Sequence, residues 1–175
     1  MTNKLLLTVF LALLALTAGL LVRQATNSPQ ESQQAVKLIE FSFPDISDQM
    51  QSVSQWQGKL LVVNFWASWC GPCLEEIPEF IKLQAEYQHR GLQFVGIAIE
   101  DKAAVAAYLQ KININYPVLI AGDAGISLAQ QFGNIINAVP FTIIVNQAGL
   151  VVHRQPGGLS RRELLDILDP LLAVK

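Results

Sequence analysis

The sequence predicts an α/β fold, a mixed β-sheet with helices on both faces. Apolar runs of strand length alternate with segments of helical period, in the order β-α-β-α-β-α-β-β-α. Two of these runs, Leu60–Ala67 and Leu92–Ile99, are almost uninterrupted, as strands buried on both faces are. The last two strands are joined by Asn146-Gln147-Ala148-Gly149, a hairpin signal that adds an antiparallel edge to the sheet.

From the start of the domain, Val36–Phe43 alternates loosely and reads as a strand ended by Pro44-Asp45. Gln57-Gly58-Lys59 is a turn before the first buried strand. A helix follows Cys70 to about His89, with Ile77, Phe80, Leu83 and Tyr87 on one face and Gly91 at its stop. Pro78 inside it should kink it. Beyond Leu92–Ile99, Asp101 caps a helix that carries Val105, Tyr108, Leu109 and Ile112. Pro117–Ile120 is a short strand, and Ala124–Phe132 a short helix stopped by Gly133. Phe141–Val145 and Leu150–His153 are the hairpin strands. Ser160-Arg161-Arg162-Glu163 reads as a capping box opening a final helix, with Leu164, Leu165, Ile167, Leu168 and Leu171 inward. Pro170 should bend that helix or end it early. The chain contains no internal repeat.

At 175 residues, the chain is one ordinary domain with a short appendage. Hydrophobic residues make up 51% and charged residues 15%, which excludes a disordered chain. A formal net charge of −2 gives no basic excess, so nucleic acid is not expected as a partner. Two cysteines are too few for a disulfide-stapled scaffold, and with two histidines they make a poor zinc site. No metal is expected.

The appendage opens with the tip 1–4, followed by Leu5–Val22, which is free of charge and interrupted only by Thr8, Thr17 and Gly19. As a helix rising about 1.5 Å per residue it spans roughly 27 Å, close to the hydrocarbon thickness of a bilayer. A cleaved signal peptide and a buried core helix are the competing readings. Signal peptides have shorter apolar runs and an A-x-A-like site, which Leu16-Thr17-Ala18 fits poorly. An uncleaved signal-anchor over 5–22 is therefore the reading adopted. Lys4 before the run and Arg23 after it point weakly to a cytoplasmic amino end and an exported body. Residues 23–35 are polar and aperiodic and read as a flexible tether, leaving 36–175 as the globular domain.

Cys70 and Cys73 stand in Trp69-Cys70-Gly71-Pro72-Cys73, between a buried strand and a helix. A cysteine at a helix's first turn faces unpaired N–H groups and the positive dipole end, which favour thiolate over thiol. Cys70 is thereby the attacking sulfur. Cys73 lies about one turn away and would resolve a mixed disulfide. Pro72 suits a helix start, and Gly71 leaves room for an incoming chain. The rival readings are a structural disulfide, two inert core thiols or half of a zinc site. A three-residue spacing closes too small a loop to stabilise a fold much. Inert cysteines are not normally framed by glycine and proline at such a junction.

This five-residue stretch is identical to the thioredoxin active-site motif. The flanking Val63-Asn64-Phe65-Trp66-Ala67-Ser68 and Cys73-Leu74-Glu75-Glu76-Ile77-Pro78 resemble the membrane-anchored TlpA/ResA/CcmG branch, and Ala138-Val139-Pro140-Phe141-Thr142 resembles the family's cis-proline strand. The resemblance runs from about Val36 to Leu172 and implies a thioredoxin-like fold. It implies that Pro140 is a cis-proline packed against the cysteines and that the Val139 backbone pairs with an extended substrate segment. An ordinary proline opening an edge strand is the alternative. Where soluble thioredoxins place a buried aspartate, six residues before the first cysteine, this chain has Asn64, which cannot titrate. Glu76 matches the glutamate that the ResA-like branch places three residues after the second cysteine. A partly buried carboxylate there would have a raised pKa and could take the proton of Cys73. The alternative is one solvated glutamate among Glu75, Glu76 and Glu79. The resemblance further gives Trp69 a shielding and partner-contacting role. Trp66 and Trp56 read as packing, and His89, His153, Arg161 and Arg162 as surface groups.

These features predict a membrane-tethered thiol–disulfide oxidoreductase outside the cytoplasm, working as a protein-disulfide reductase. No Rossmann fingerprint or flavin motif is visible, so no cofactor is expected and electrons must come from another protein. The branch resemblance implies a membrane thiol carrier of DsbD/CcdA type as donor, and apocytochrome c or its assembly factors among the substrates. Gly-Pro between the cysteines matches thioredoxin, whose potential is about −270 mV against about −120 mV for the oxidant DsbA. A peroxide-reducing enzyme would need a peroxidatic cysteine outside this motif, and there is no third cysteine. A redox-inactive binding or chaperone module using the Pro140 groove would keep its activity when Cys70 is replaced by serine.

Overall fold

The structure, a computed structural model, describes residues 36–173. The expected tip, membrane span and tether lie outside the described residues. Among the described residues no helix is long and apolar enough to cross a membrane. The elements are β1 (Val36–Lys37), β2 (Ser42–Pro44), β3 (Met50–Ser52), a 3₁₀ turn (Val53–Trp56), β4 (Leu60–Trp66), α1 (Gly71–Tyr87), a second 3₁₀ turn (Gln88–Arg90), β5 (Leu92–Ala98), α2 (Lys102–Leu109), β6 (Val118–Ile120), α3 (Asp123–Gln131), β7 (Phe141–Val145), β8 (Leu150–Pro156) and α4 (Arg161–Ala173).

Six strands form one mixed sheet in the order β1-β8-β7-β4-β5-β6. Strands β4, β5 and β6 run parallel, while β7, β8 and β1 add the antiparallel side. Every residue of β4 and β5 is buried, as their apolar runs require. Alternate residues of β4 serve two cores. Leu60, Val62 and Trp66 face α1 and α4 through Ile77, Phe80, Leu83, Leu164 and Leu168. Leu61, Val63 and Phe65 face α3 and the first 3₁₀ turn through Leu128, Ala129, Val53 and Trp56. Helices thus cover both faces. On the second face α3 approaches closely enough that a Cβ added at Gly125 would stand 3.4 Å from Cγ2 of Ile97 on β5.

The expected strand over Val36–Phe43 is divided. β1 pairs with the sheet through Val36 and Val151, whereas β2 forms a separate hairpin with β3. Pro44 lies inside β2 rather than after it. β3 is Met50-Gln51-Ser52, too short and too polar to betray itself by alternation. Pro170 does not shorten α4, which continues to Ala173. The carbonyl left without a donor belongs to Asp166, and both residues are exposed, so water can satisfy it. Pro78 likewise stands on the exposed side of an uninterrupted α1. The predicted caps are present: the Asp101 carboxylate accepts from the Ala104 N–H, and Ser160 and Glu163 bond reciprocally.

Candidate active site

Strand β4 ends at Trp66, and the chain turns through Ala67–Trp69 into α1. Two links hold that turn. The Cys70 N–H donates to the Ala67 carbonyl at 3.2 Å. The Glu100 carboxylate accepts from the Ser68 N–H at 2.6 Å and the Ser68 hydroxyl at 3.0 Å. Cys70 is the N-cap of α1, and its Sγ accepts from the Cys73 N–H at 3.3 Å. Pro72 occupies the first turn, where no intrahelical N–H is needed. A Cβ at Gly71 would meet nothing within 4 Å, so this position is open to an approaching chain.

Cys70 and Cys73 are joined, with their Cα atoms 5.3 Å apart. Their exposures differ: 5% for Cys70 and none for Cys73. A sulfur from another protein can therefore approach the pair from the Cys70 side. Trp69 is 67% exposed beside them. The Val139–Pro140 peptide is cis, and the register Phe65–Phe141 puts Pro140 level with Trp66, at the end of β4 from which the cysteines follow. The Gly157 N–H donates to the Pro140 carbonyl at 2.8 Å. The N–H and carbonyl of Val139 make no hydrogen bond among the described residues.

One turn beyond Cys73, Glu76 lies on the inner stripe of α1 with Ile77, Phe80 and Leu83 and is only 4% exposed. Its Oε1 accepts from Asn64 Nδ2 at 2.7 Å, and its Oε2 accepts from the Leu159 N–H at 3.0 Å. Asn64 Nδ2 also donates to the Thr142 hydroxyl at 3.0 Å. Burial pushes the Glu76 carboxyl up to about 7, against the two hydrogen bonds that favour its ionised form. Of three neighbouring glutamates, this is the one that is buried. Glu75 is exposed, and Glu79 is held below the usual carboxylate range by its hydrogen bond to Lys82. A cavity of about 330 Å³ between Pro72, Gly158 and Arg161 reaches Glu76 from solvent.

Glu100, Thr142 and the Leu159 N–H take part in the site without having been marked in the sequence. Trp66 and Trp56 are buried packing residues, and His89 is exposed. His153 departs from its expected surface placement: it is half-buried on β8, with Nε2 enclosed. Arg161 is not merely solvated, since it bridges α4 to α1 through Glu86 at 2.6 Å and Glu79 at 3.8 Å.

Residues 33–168 match the Redoxin family. The chain is 31% identical over 144 residues to the thioredoxin-like protein YneN of Bacillus subtilis, covering 80% of this chain and 79% of that one. It is 26% identical over 136 residues to the thiol-disulfide oxidoreductase ResA of Halalkalibacterium halodurans, covering 75% of each. It is 35% identical over 117 residues to the thiol:disulfide interchange protein HelX of Rhodobacter capsulatus, covering 66% of this chain and 62% of that one. A crystal structure of a thiol:disulfide interchange protein of the thioredoxin family from Chlorobium tepidum superposes with a TM-score of 0.73 at 28% identity, covering 81% of this chain and 99% of that one. With a joined cysteine pair capping α1 beside a cis-proline, the chain belongs to the Redoxin family, as a thioredoxin-like thiol–disulfide oxidoreductase of the TlpA/ResA/CcmG type.

Proposed function

We propose that the protein is an extracytoplasmic, membrane-tethered protein-disulfide reductase, anchored through 5–22 and tethered through 23–35. The observation that carries the redox reading is the Cys70–Cys73 pair at the start of α1, one turn above the buried Glu76 carboxyl. In the dithiol form the helix terminus favours a thiolate at Cys70. That thiolate attacks a substrate disulfide, forms a mixed disulfide and expels the first substrate thiolate. Cys73 passes its proton to Glu76, attacks the Cys70 sulfur and expels the second. The substrate has then gained two electrons and, from solvent and Glu76, two protons. The enzyme is left as the Cys70–Cys73 disulfide.

The free N–H and carbonyl of Val139 suit an extended substrate strand beside Pro140, with Trp69, Gly71 and Pro72 along its path. A membrane thiol carrier of DsbD/CcdA type returns the enzyme to the dithiol. Apocytochrome c or its assembly factors are one substrate class. The charge-free run over 5–22 supports the anchor, and the family resemblance supports the partners.

The direction of exchange is tested by the potential of the pair. A value near thioredoxin's, about −270 mV, is expected, and one above about −180 mV overturns the reductase reading. Cys73→Ser should trap mixed disulfides in cells. Captured c-type cytochrome precursors would support the maturation role, and a broad set of exported proteins would replace it with general reduction.

A further inference from the structure

Three buried polar side chains meet between β4, β7 and α1, and their donors and acceptors can be counted. Asn64 and Thr142 are cross-strand partners, and Glu76 faces Asn64 from α1. Asn64 Nδ2 has two hydrogens. One goes to Glu76 Oε1 at 2.7 Å and the other to the Thr142 hydroxyl at 3.0 Å. Glu76 Oε2 meets a third donor, the Leu159 N–H, at 3.0 Å. This arrangement satisfies an ionised carboxylate, which only accepts. It does not suit the neutral acid that Glu76 becomes on taking the Cys73 proton. One oxygen then carries a hydrogen, and both partners of the carboxyl face it with N–H. A buried donor without an acceptor is destabilising.

An amide can answer this change without moving its backbone. Half a turn about its last side-chain bond exchanges Nδ2 for Oδ1, and an atom that donates twice is replaced by one that accepts twice. The Thr142 hydroxyl suits both states, since it can accept or donate. No donor among the described residues holds Oδ1 where it stands. We infer that Asn64 is a positioning residue for the proton step: its amide donates to Glu76 and Thr142 while the carboxylate is ionised, and turns over to accept from both once Glu76 has taken the proton of Cys73. The inference rests on Glu76 as the acid–base partner of Cys73, as proposed above, and adds the group that lets it change state inside the fold. The S–H bond of Cys73 breaks, an O–H bond forms on Glu76, and the turn of the amide makes and breaks hydrogen bonds only. When Glu76 releases its proton, the amide turns back. The Leu159 N–H cannot follow in this way, because it only donates.

The test follows the oxidised protein by NMR from pH 5 to 9, with 13C in the glutamate carboxyls and 15N in the asparagine amides. In this form the joined cysteines do not titrate. Around Glu76, the hydrogen bond from Lys82 keeps Glu79 ionised, that to Glu86 keeps Arg161 cationic, and burial keeps Tyr116 neutral, while Glu75 is exposed on the rim. As Glu76 takes up its proton near pH 7, both hydrogens of the Asn64 amide should move upfield with the midpoint of its carboxyl carbon. Their nuclear Overhauser contact with Thr142 should fade over the same range. Glu76→Gln should hold both signals constant. If only the hydrogen facing Glu76 moves, the amide is a fixed donor and the inference falls, while Glu76 as proton acceptor stands. If neither moves, the hydrogen of the acid meets water from the cleft beside Pro72 and Arg161, and the inference again falls alone. A shift that persists in Glu76→Gln belongs to another group, such as His153 on β8, and overturns it as well. A Glu76 carboxyl carbon that shows no titration between pH 5 and 9 overturns the proton-transfer reading and this inference together.

Discussion

The two faces of the central sheet are built from alternate residues of the same strands, yet they do different work. Behind β4 and β7, on the α3 side, Val63, Phe65, Phe141 and Ile143 form an apolar layer closed by Phe132. On the α1 side the intervening residues are Asn64 and Thr142, and a carboxylic acid is buried against them. One face supplies cohesion that is indifferent to pH. The other accepts the cost of enclosing a titratable group one turn from a cysteine. A strand's period of two lets a single segment carry both tasks without compromise.

The largest effect that would sharpen this contrast is on the dry face. Phe65→Ala should cost about 3–5 kcal/mol in denaturant unfolding. The loss should be the same at every pH. A loss that varied with pH would break the proposed separation of the faces.

Glu76→Gln comes next. The folded carboxyl titrates at about 7 against 4.5 for an ordinary glutamate, so the folded protein holds its proton more tightly than the unfolded chain does. The stabilisation is therefore complete below about 4.5 and is lost as pH rises through about 7, an amount of about 3 kcal/mol. Unfolding of the oxidised protein measured from pH 4 to 8 should show that decline, and Glu76→Gln should flatten it. The smallest expected effect is that of Thr142→Val. It removes the acceptor for one Asn64 N–H at nearly constant volume and should cost about 1–3 kcal/mol. A variant as stable as the wild type would mean that the hydroxyl is not what holds the Asn64 amide.

Much of this is legible in the sequence. Leu60–Ala67 and Leu92–Ile99 announced themselves because strands covered on both sides need no polar residue. The cysteine pair was legible because its spacing and its glycine and proline make sense only at a strand–helix junction. The β2–β3 hairpin was not, since three-residue polar strands leave no period to read. Glu76 was ambiguous because Glu75 and Glu79 have the same chemistry. The stripe Cys73, Glu76, Ile77, Phe80 points to it, yet a carboxylate on an apolar stripe is ordinarily a reason to doubt the stripe. Glu100 could not be found at all. Its bond to Ser68 exists only because β5 happens to end beside the turn that follows β4.

The backbone nitrogen of Leu159 sits immediately before the residue that caps α4, and its hydrogen points at Glu76. A titration at the heart of the molecule is thereby wired to the first turn of its last helix. A single NMR cross-peak, remote in sequence from both sulfurs, can then serve as a native indicator for the acid beneath them, with no label attached to the chemistry it watches.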